Sequence, residues 1–189
     1  MVKAIVFDCF GVLTTEAWLP FKAKYFANDP ELLEKAGELS NKANRGLISH
    51  FDFIEGVAKL AGISPESANA FISRNVADEE LFKYIKVLKK KYKIGFLSNI
   101  AEDYLHRMFT EDQLSIFDVI ELSYKTGFIK PQVQSYKLIA DKLDVEPKEA
   151  LMVDDQQRNI LGAKEAGMKG ILYRDIEQFK QEIKEAIRD

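Results

Sequence analysis

Short apolar runs rich in Val, Ile, Leu and Phe recur along this chain, and they constrain its fold more than any other feature. Each run is short, is bounded by turn residues, and is typical of a buried strand. The amphipathic stretches 134–143 and 159–166 lie between the later runs and predict helices. This alternation predicts an α/β fold with a doubly wound parallel sheet. The predicted strands are residues 2–7, 94–97, 119–122, 150–153 and 170–173.

The interval from residue 15 to residue 80 shows helical periodicity but no convincing strand. Residues 28–30 predict the start of one helix, Gly46 and Ser49 separate it from a second, and residues 62–65 begin a third. Asp78 predicts the start of a helix that leads into the second strand of the core. We therefore predict a core of residues 1–14 and 81–189 and an inserted helical unit of residues 15–80. Short hinges near Thr14 and Asp78 are expected to join the two.

Composition narrows the possible partners and the compartment. The chain has 189 residues, a formal net charge of −3 and a pI near 5.6, so it lacks the excess of Lys and Arg that a nucleic-acid partner requires. No apolar stretch approaches the length of a membrane span, so no membrane association is expected. Cys9 is the only cysteine, which favours a reducing, cytoplasmic location. A monomer and a homodimer are equally compatible with the sequence.

Polar side chains follow three of the predicted strands. Asp8 comes directly after the first, Ser98 and Asn99 follow the second, and Asp154 and Asp155 follow the fourth. Ligands of open parallel sheets bind beyond the carboxyl ends of the strands, so these side chains are expected to face one ligand. Taken singly, each also fits a turn, a helix N-cap or a solvated acidic loop. Their shared placement favours a functional site.

The chemistry of these residues suits phosphoryl transfer. Gly11 predicts a sharp turn that presents the Asp8 carboxylate as a nucleophile, with backbone N–H groups directed at a bound anion. Three carboxylates in one cleft would repel each other and a phosphate, and oxygen ligands of this kind favour Mg²⁺. Lys130 could supply a second positive charge. Ser98 and Asn99 could hold phosphoryl oxygens at the N-terminus of a helix expected near Glu102.

Read in order, four segments resemble the four motifs of the haloacid dehalogenase (HAD) superfamily. The resemblance spans the whole chain and includes an insertion similar to the superfamily's helical cap of the first type. It implies a Rossmann-like core and a hydrolase that uses Mg²⁺. The matching segments are Phe7-Asp8-Cys9-Phe10-Gly11-Val12-Leu13, Leu97-Ser98-Asn99, Lys130-Pro131, and Val153-Asp154-Asp155 with Asn159, Gly162 and Ala163.

The resemblance also implies a role for each matching residue. Asp8 resembles the family nucleophile, Ser98 the phosphate-binding hydroxyl and Lys130 the lysine of the third motif. Asp154 and Asp155 match the acidic pair of the fourth motif, and we expect Asp155 to be the direct Mg²⁺ ligand. The main-chain carbonyl of Phe10 is implied as a further ligand.

Phe10 departs from the family pattern, because HAD phosphatases usually carry a second Asp at this position as general acid and base. Proton transfer is typically worth about 10²- to 10⁴-fold in rate. We therefore expect a good leaving group, such as an anomeric sugar oxygen, an acyl group or an aryl oxygen. Glu16 and His50 are candidate substitutes for the missing acid.

The sequence thus predicts a phosphoric monoester hydrolase acting on a small phosphorylated metabolite, with a sugar phosphate as the expected substrate. The aromatic residue at position 10 leaves two alternatives. One is a metal-independent 2-haloacid dehalogenase, although the acidic pair argues against it because a haloacid brings no dianion for Mg²⁺ to neutralise. The other is a catalytically weak HAD-like binding protein.

Overall fold

The computed structural model describes residues 1–188, so residue 189 of the predicted core range lies outside the described residues. Five parallel strands form one sheet in the order β3-β2-β1-β4-β5. This confirms the predicted α/β class, and each strand lies within two residues of its predicted bounds. The strands are β1 (Ala4–Phe7), β2 (Lys93–Ser98), β3 (Val119–Leu122), β4 (Ala150–Asp154) and β5 (Lys169–Leu172).

Helices cover both faces of the sheet, because alternate side chains of each strand point to opposite sides. Ile5 and Phe7 of β1 face one apolar cluster, whereas Ala4 and Val6 face the other. The helices that contribute to the first cluster are α5 (Glu79–Leu88), α6 (Leu105–Met108) and α11 (Ile176–Ala186). Those of the second are α9 (Val133–Lys142) and α10 (Gln157–Glu165). The short helices α7 (Glu111–Leu114) and α8 (Ser123–Thr126) flank β3.

Between β1 and α5, four helices pack around an apolar cluster of their own, which includes Phe21, Phe53 and Val57. Asp29, Ser49 and Ser64 cap three of these helices through side-chain oxygens, as their sequence signals predict. The helix that begins after Asp78 is confirmed in the same way. The four helices are α1 (Trp18–Phe26), α2 (Pro30–Asn44), α3 (His50–Ala61) and α4 (Pro65–Ile72).

The two chain segments that connect the four helices to the sheet lie side by side. Thr14 forms an antiparallel bridge with Ala77, and Asp78 N donates to Leu13 O at 2.9 Å. Further contacts join α2 to the core: Ser123 Oγ donates to Asn44 O at 2.6 Å, and Arg45 donates to Gly127 O at 3.1 Å. Motion about residues 14 and 78 and the division into two units stay predictions.

The observed helices differ from the predicted ones at two places. Helix α1 lies before residues 28–30, where the first predicted helix begins; its Pro20 is in the first turn, where proline removes no helical hydrogen bond. The helix expected near Glu102 begins instead at Leu105 and is four residues long. The chain after β2 stays irregular because the Asn99 side chain hydrogen-bonds the main chain of Lys130 in a neighbouring loop. Among residues 1–188, no helix has both the length and the apolar character to cross a membrane.

Candidate active site

The sheet order brings the predicted site residues together at one edge. Asp8 follows β1, Ser98 ends β2 and Asp154 ends β4, and β1 lies between β2 and β4 in the sheet. Carboxylate oxygens of Asp8, Asp154 and Asp155 all lie within 4.8 Å of one another. The structure therefore places three acidic side chains, distant in the sequence, within reach of a single cation.

Lys130 contacts two of these three carboxylates. Its Nζ is 2.6 Å from Asp8 Oδ1 and 2.7 Å from Asp154 Oδ2. Lys130 is 2% exposed, Asp8 5% and Asp154 0%, so water screens these charges poorly. If all four groups are ionised, three negative charges face one positive charge. The site as built is short of positive charge.

Burial and the missing positive charge alter the proton affinities of the cluster. Burial and the charge of Asp154 raise the pKa of Asp8 well above its ordinary value, and Lys130 opposes this shift. Burial disfavours the charged form of Lys130, but the charges of Asp154 and Asp8 outweigh burial and raise the pKa of Lys130. Burial, Asp154 and Glu16 raise the pKa of Asp155 to about 6. Each carboxyl shift is relieved by an added cation.

The two members of the acidic pair have different surroundings. Asp154 accepts hydrogen bonds from Lys130 Nζ, from Asn159 Nδ2 at 2.9 Å, and from the Gln156 N–H at 2.9 Å. Asp155 Oδ1, in contrast, is buried and has no hydrogen-bond partner among the described residues. Unpaired buried carboxylate oxygen is costly, and a hard cation such as Mg²⁺ would satisfy it. The oxygen atoms present therefore fit Mg²⁺: Asp155 could bind the ion directly, whereas Asp154 contacts Lys130.

Gly11 is required by the position of Asp155. The residue has a φ of +82°, and a Cβ built on it would lie 2.4 Å from Asp155 Oδ2. Any side chain at position 11 would therefore displace that carboxylate. The turn predicted after Asp8 is confirmed, since the Gly11 N–H donates to Thr14 O at 2.8 Å.

Ser98 and Asn99 differ in what their side chains contact. Ser98 Oγ is buried and has no hydrogen-bond partner among residues 1–188, so it is free to bind an oxygen of a ligand. Asn99 instead accepts from the Lys130 N–H at 2.8 Å and donates to Lys130 O at 3.0 Å. Asn99 thus positions Lys130, and its predicted contact with a phosphoryl group stays a prediction.

A cavity of about 190 Å³ opens between the site and helices α1, α2 and α3. Asp8 and Lys130 line it, and so do Phe10, Glu16 and His50. Its volume is below the roughly 300–1,000 Å³ of pockets for drug-sized ligands, which indicates a small ligand.

The contacts of Glu16 and His50 do not identify either residue as the substitute for the missing acid. Glu16 Oε1 accepts from the Leu19 N–H at 2.9 Å and so caps the start of α1, while burial raises the pKa of Glu16. His50 Nε2 lies 3.4 Å from Asn69 Oδ1, and the ring packs against Phe53 and Tyr104.

The sequence did not single out several residues that shape this site. Lys22, Tyr104, Gln156 and Arg158 line the cavity, and the cap that Glu16 forms on α1 was also missed. Arg158 and Gln156 had a sequence signal, since they follow the acidic pair at the start of a predicted helix. Lys22 had none, because only the packing of α1 against the core brings it to the cavity, and Tyr104 had none because the segment after β2 that carries it is irregular.

Comparison with known proteins agrees with this geometry. A family model described as haloacid dehalogenase-like hydrolase matches residues 2–167, and the chain belongs to this family. The chain is 37% identical over 67 residues to bifunctional epoxide hydrolase 2 of Rattus norvegicus and 30% identical over 93 residues to pyrophosphatase PpaX of Bacillus cereus. The match to the epoxide hydrolase covers 35% of this chain and 12% of that protein, and the match to PpaX covers 48% of this chain and 43% of that protein. The chain therefore spans less than half the length of either relative.

Solved structures support the fold over the full length. A HAD-like family hydrolase from Porphyromonas gingivalis has a TM-score of 0.74 at 25% identity, covering 100% of this chain and 99% of that one. A HAD family enzyme from Bacteroides thetaiotaomicron, in complex with magnesium and inorganic phosphate, has a TM-score of 0.71 at 22% identity, with 95% and 99% covered. The L-2-haloacid dehalogenase of Xanthobacter autotrophicus has a TM-score of 0.66 at 21% identity, with 100% and 85% covered.

Replacement of Asp155 by Asn should change how stability depends on pH and on Mg²⁺. The pKa of Asp155 in the folded protein, about 6, lies above its ordinary value of 3.8. The stability that protonated Asp155 contributes to the folded protein is therefore present below pH 4 and is lost as the pH rises through 6. In chelator at pH 8, Asp155→Asn should be more stable than wild type by about 1 kcal/mol after allowance for solvent screening, or about 3 °C in Tm. At pH 4 the difference should vanish.

Thermal melts with chelator and with Mg²⁺ check this prediction. Mg²⁺ should stabilise the wild-type protein at pH 8 and stabilise Asp155→Asn much less. Asp141→Asn, on the exposed face of α9, is the matched control and should respond to Mg²⁺ like wild type. A wild-type protein whose Tm does not respond to Mg²⁺ would contradict the assignment of the metal ligands.

Proposed function

We propose that this protein is a Mg²⁺-dependent phosphatase that hydrolyses a small phosphorylated metabolite, with a sugar phosphate as the expected substrate, through an aspartyl-phosphate intermediate. One observation carries the proposal: three carboxylates and one buried lysine meet at the carboxyl edge of the sheet, with too little positive charge for the carboxylates present. A divalent cation together with the phosphate of a substrate completes such a site.

In this mechanism a carboxylate oxygen of Asp8 attacks the phosphorus atom. A new bond forms between Asp8 and phosphorus, and the bond between phosphorus and the leaving-group oxygen breaks. Water then attacks the aspartyl-phosphate, which releases inorganic phosphate and regenerates Asp8. Lys130, 2.6 Å from Asp8 Oδ1, holds the carboxylate in place and neutralises charge on the transferring group. Ser98 Oγ donates to a phosphoryl oxygen.

Mg²⁺ would be held by Asp8, Asp155 and the main-chain carbonyl of Phe10, and it supplies positive charge that lets an anionic nucleophile approach an anionic phosphate. Asp154 acts beside it by fixing Lys130 through the 2.7 Å contact. Helices α1 to α4 form the cap that lies over the cavity and limits the entry of bulk water.

The leaving group in this proposal is a good one. Phe10 cannot donate a proton, and the Glu16 carboxylate already caps α1. An anomeric sugar oxygen, an acyl group or an aryl oxygen departs readily without a general acid, whereas an alkoxide does not. The vacancy at position 10 therefore restricts the substrates to activated phosphate esters.

A phosphate-release screen over aryl, acyl and sugar phosphates tests the proposed function. We expect turnover in Mg²⁺, none in excess chelator, and a loss of about a thousandfold or more in Asp8→Asn, because no other residue of the site supplies the nucleophile. Asp103→Asn, an exposed aspartate outside the site, serves as the control and should keep wild-type activity.

Two outcomes would count against the proposal. Turnover of a 2-haloacid that chelator does not affect would identify a dehalogenase. Full activity of Asp8→Asn would contradict the mechanism.

Replacement of Phe10 by Asp tests the vacant acid directly. The new carboxyl group stands where a general acid is expected, so alkyl phosphates should gain about 10- to 100-fold in kcat relative to aryl phosphates. Phe10→Asn is the control, because an Asn side chain has the same size as Asp but has no carboxyl proton to donate, and it should show no such gain. The measurement is kcat over a series of leaving groups of increasing pKa. A wild-type protein that hydrolyses alkyl and aryl phosphates at the same rate would contradict the restriction to activated esters.

A further inference from the structure

Two basic side chains, Lys22 and Arg158, line the same cavity as Asp8 and Lys130. Lys22 lies on α1 and Arg158 on α10, so one comes from the helical insertion and one from the core. Lys22 is half-buried, and Arg158 is exposed. Both therefore border the space that a ligand bound at Asp8 would occupy.

Neither residue forms an ion pair with an acidic residue of the described chain. Arg158 Nε donates to the neutral side-chain oxygen of Gln156 at 3.0 Å, and the Lys22 ammonium lies 5.6 Å from the centre of the Trp18 ring. The chain carries 30 acidic and 27 basic residues, so a shortage of carboxylates does not explain two unpaired cations in one cavity.

The two cations share one cavity, where their like charges oppose each other. Burial and the positive charge of Arg158 lower the pKa of Lys22, while the charge of Glu16 opposes this shift. The Glu16 carboxylate that favours the charged form of Lys22 accepts a hydrogen bond from the Leu19 N–H at the start of α1. Two like charges that share a cavity, neither of them in an ion pair, are stabilised by an anion bound between them.

The other walls of the cavity leave room for such an anion. Trp18, Phe53 and Tyr104 provide an aromatic side against which a small organic group could pack. Lys130 is already paired with Asp8 and Asp154, so it is not available for a second anionic group while it serves the phosphoryl site.

We propose that the preferred substrate carries a second anionic group, a carboxylate or a second phosphate, and that Lys22 and Arg158 bind this group while the phosphoryl group lies at Asp8. The proposal rests on the phosphatase function proposed above and narrows its substrate class. When the insertion closes over the core, both cations would lie around the distal anion. Only a ligand with two anionic groups would then contact the phosphoryl site and the two cations at once.

Matched aryl phosphates test this inference with the Mg²⁺-loaded protein. 4-Carboxyphenyl phosphate carries the second anion, 4-carbamoylphenyl phosphate is a neutral molecule of nearly the same shape, and 1,4-phenylene bisphosphate presents a second phosphate. We expect kcat/KM for the carboxylate to exceed that for the amide by about tenfold, as a charge-assisted hydrogen bond at a partly exposed site provides. Whichever of 4-carboxyphenyl phosphate and 1,4-phenylene bisphosphate has the higher kcat/KM identifies the preferred second anion as a carboxylate or a phosphate.

Variants assign the preference to the two residues. Lys22→Gln and Arg158→Gln should each reduce the ratio between the charged and the neutral substrate to about threefold or less, and Lys22→Arg should retain it. Lys24→Gln on α1 and Lys164→Gln on α10 are matched controls that remove an exposed lysine which does not line the cavity, and both should keep the wild-type ratio. Circular dichroism confirms that each variant is folded.

Different results would overturn different claims. If wild type hydrolyses all three substrates equally well, the second-anion site is wrong and the phosphatase function stands. If Lys22→Gln and Arg158→Gln slow the charged and the neutral substrate equally, the two residues act on the transferred phosphoryl group instead. If no phosphate ester is hydrolysed, the proposed function fails. Calorimetry with 4-carboxybenzylphosphonate and its amide analogue then decides the inference, since equal affinities would overturn it.

Discussion

The site depends on how negative charge is held inside the protein. Asp8, Asp154 and Lys130 are almost completely buried, and the lysine contacts both carboxylates at ion-pair distance. A buried carboxylate is stable only when it is paired or protonated, and one lysine cannot neutralise three such groups. The raised pKa values of Asp8 and Asp155 express the same imbalance. In a site of this kind, a bound cation would neutralise the excess negative charge and allow a phosphate to bind beside the carboxylates.

The rest of the fold serves this arrangement. Parallel strands β2, β1 and β4 are neighbours, so the residues that follow them meet at one edge. Gly11 gives the Asp155 carboxylate the space it occupies, and a Cβ at Gly162 would lie 2.4 Å from Pro131 O, so α10 packs closely against the loop that carries Lys130. Asn99 holds the same loop from the other side through its two hydrogen bonds to Lys130.

Local patterns were enough to predict the sheet and the cluster of acidic residues at its edge. Short apolar runs predicted the strands, capping residues such as Asp29 and Ser49 predicted helix starts, and acidic residues after strands predicted a cation site. The sequence could not separate the surroundings of Asp154 from those of Asp155, because that difference depends on Lys130 and Asn159 contacting one of them in three dimensions. Likewise, the approach of Lys22 to Arg158 depends on how α1 packs over the core, which no local pattern encodes. Helix α1 has Ala17 at its N-cap, and this residue gives no capping signal that would mark the start of the helix.

Beryllium trifluoride, a stable mimic of a phosphoryl group on a carboxylate, provides the most direct measurement. The measurement is a crystal structure of the protein grown with Mg²⁺, beryllium and fluoride. The account predicts a beryllium atom bonded to an Asp8 oxygen, with Lys130 and Ser98 contacting the fluorines and an octahedral ion bound to Asp155. A structure in which Asp8 stays paired with Lys130, and no ion contacts Asp155 at saturating Mg²⁺, would contradict it.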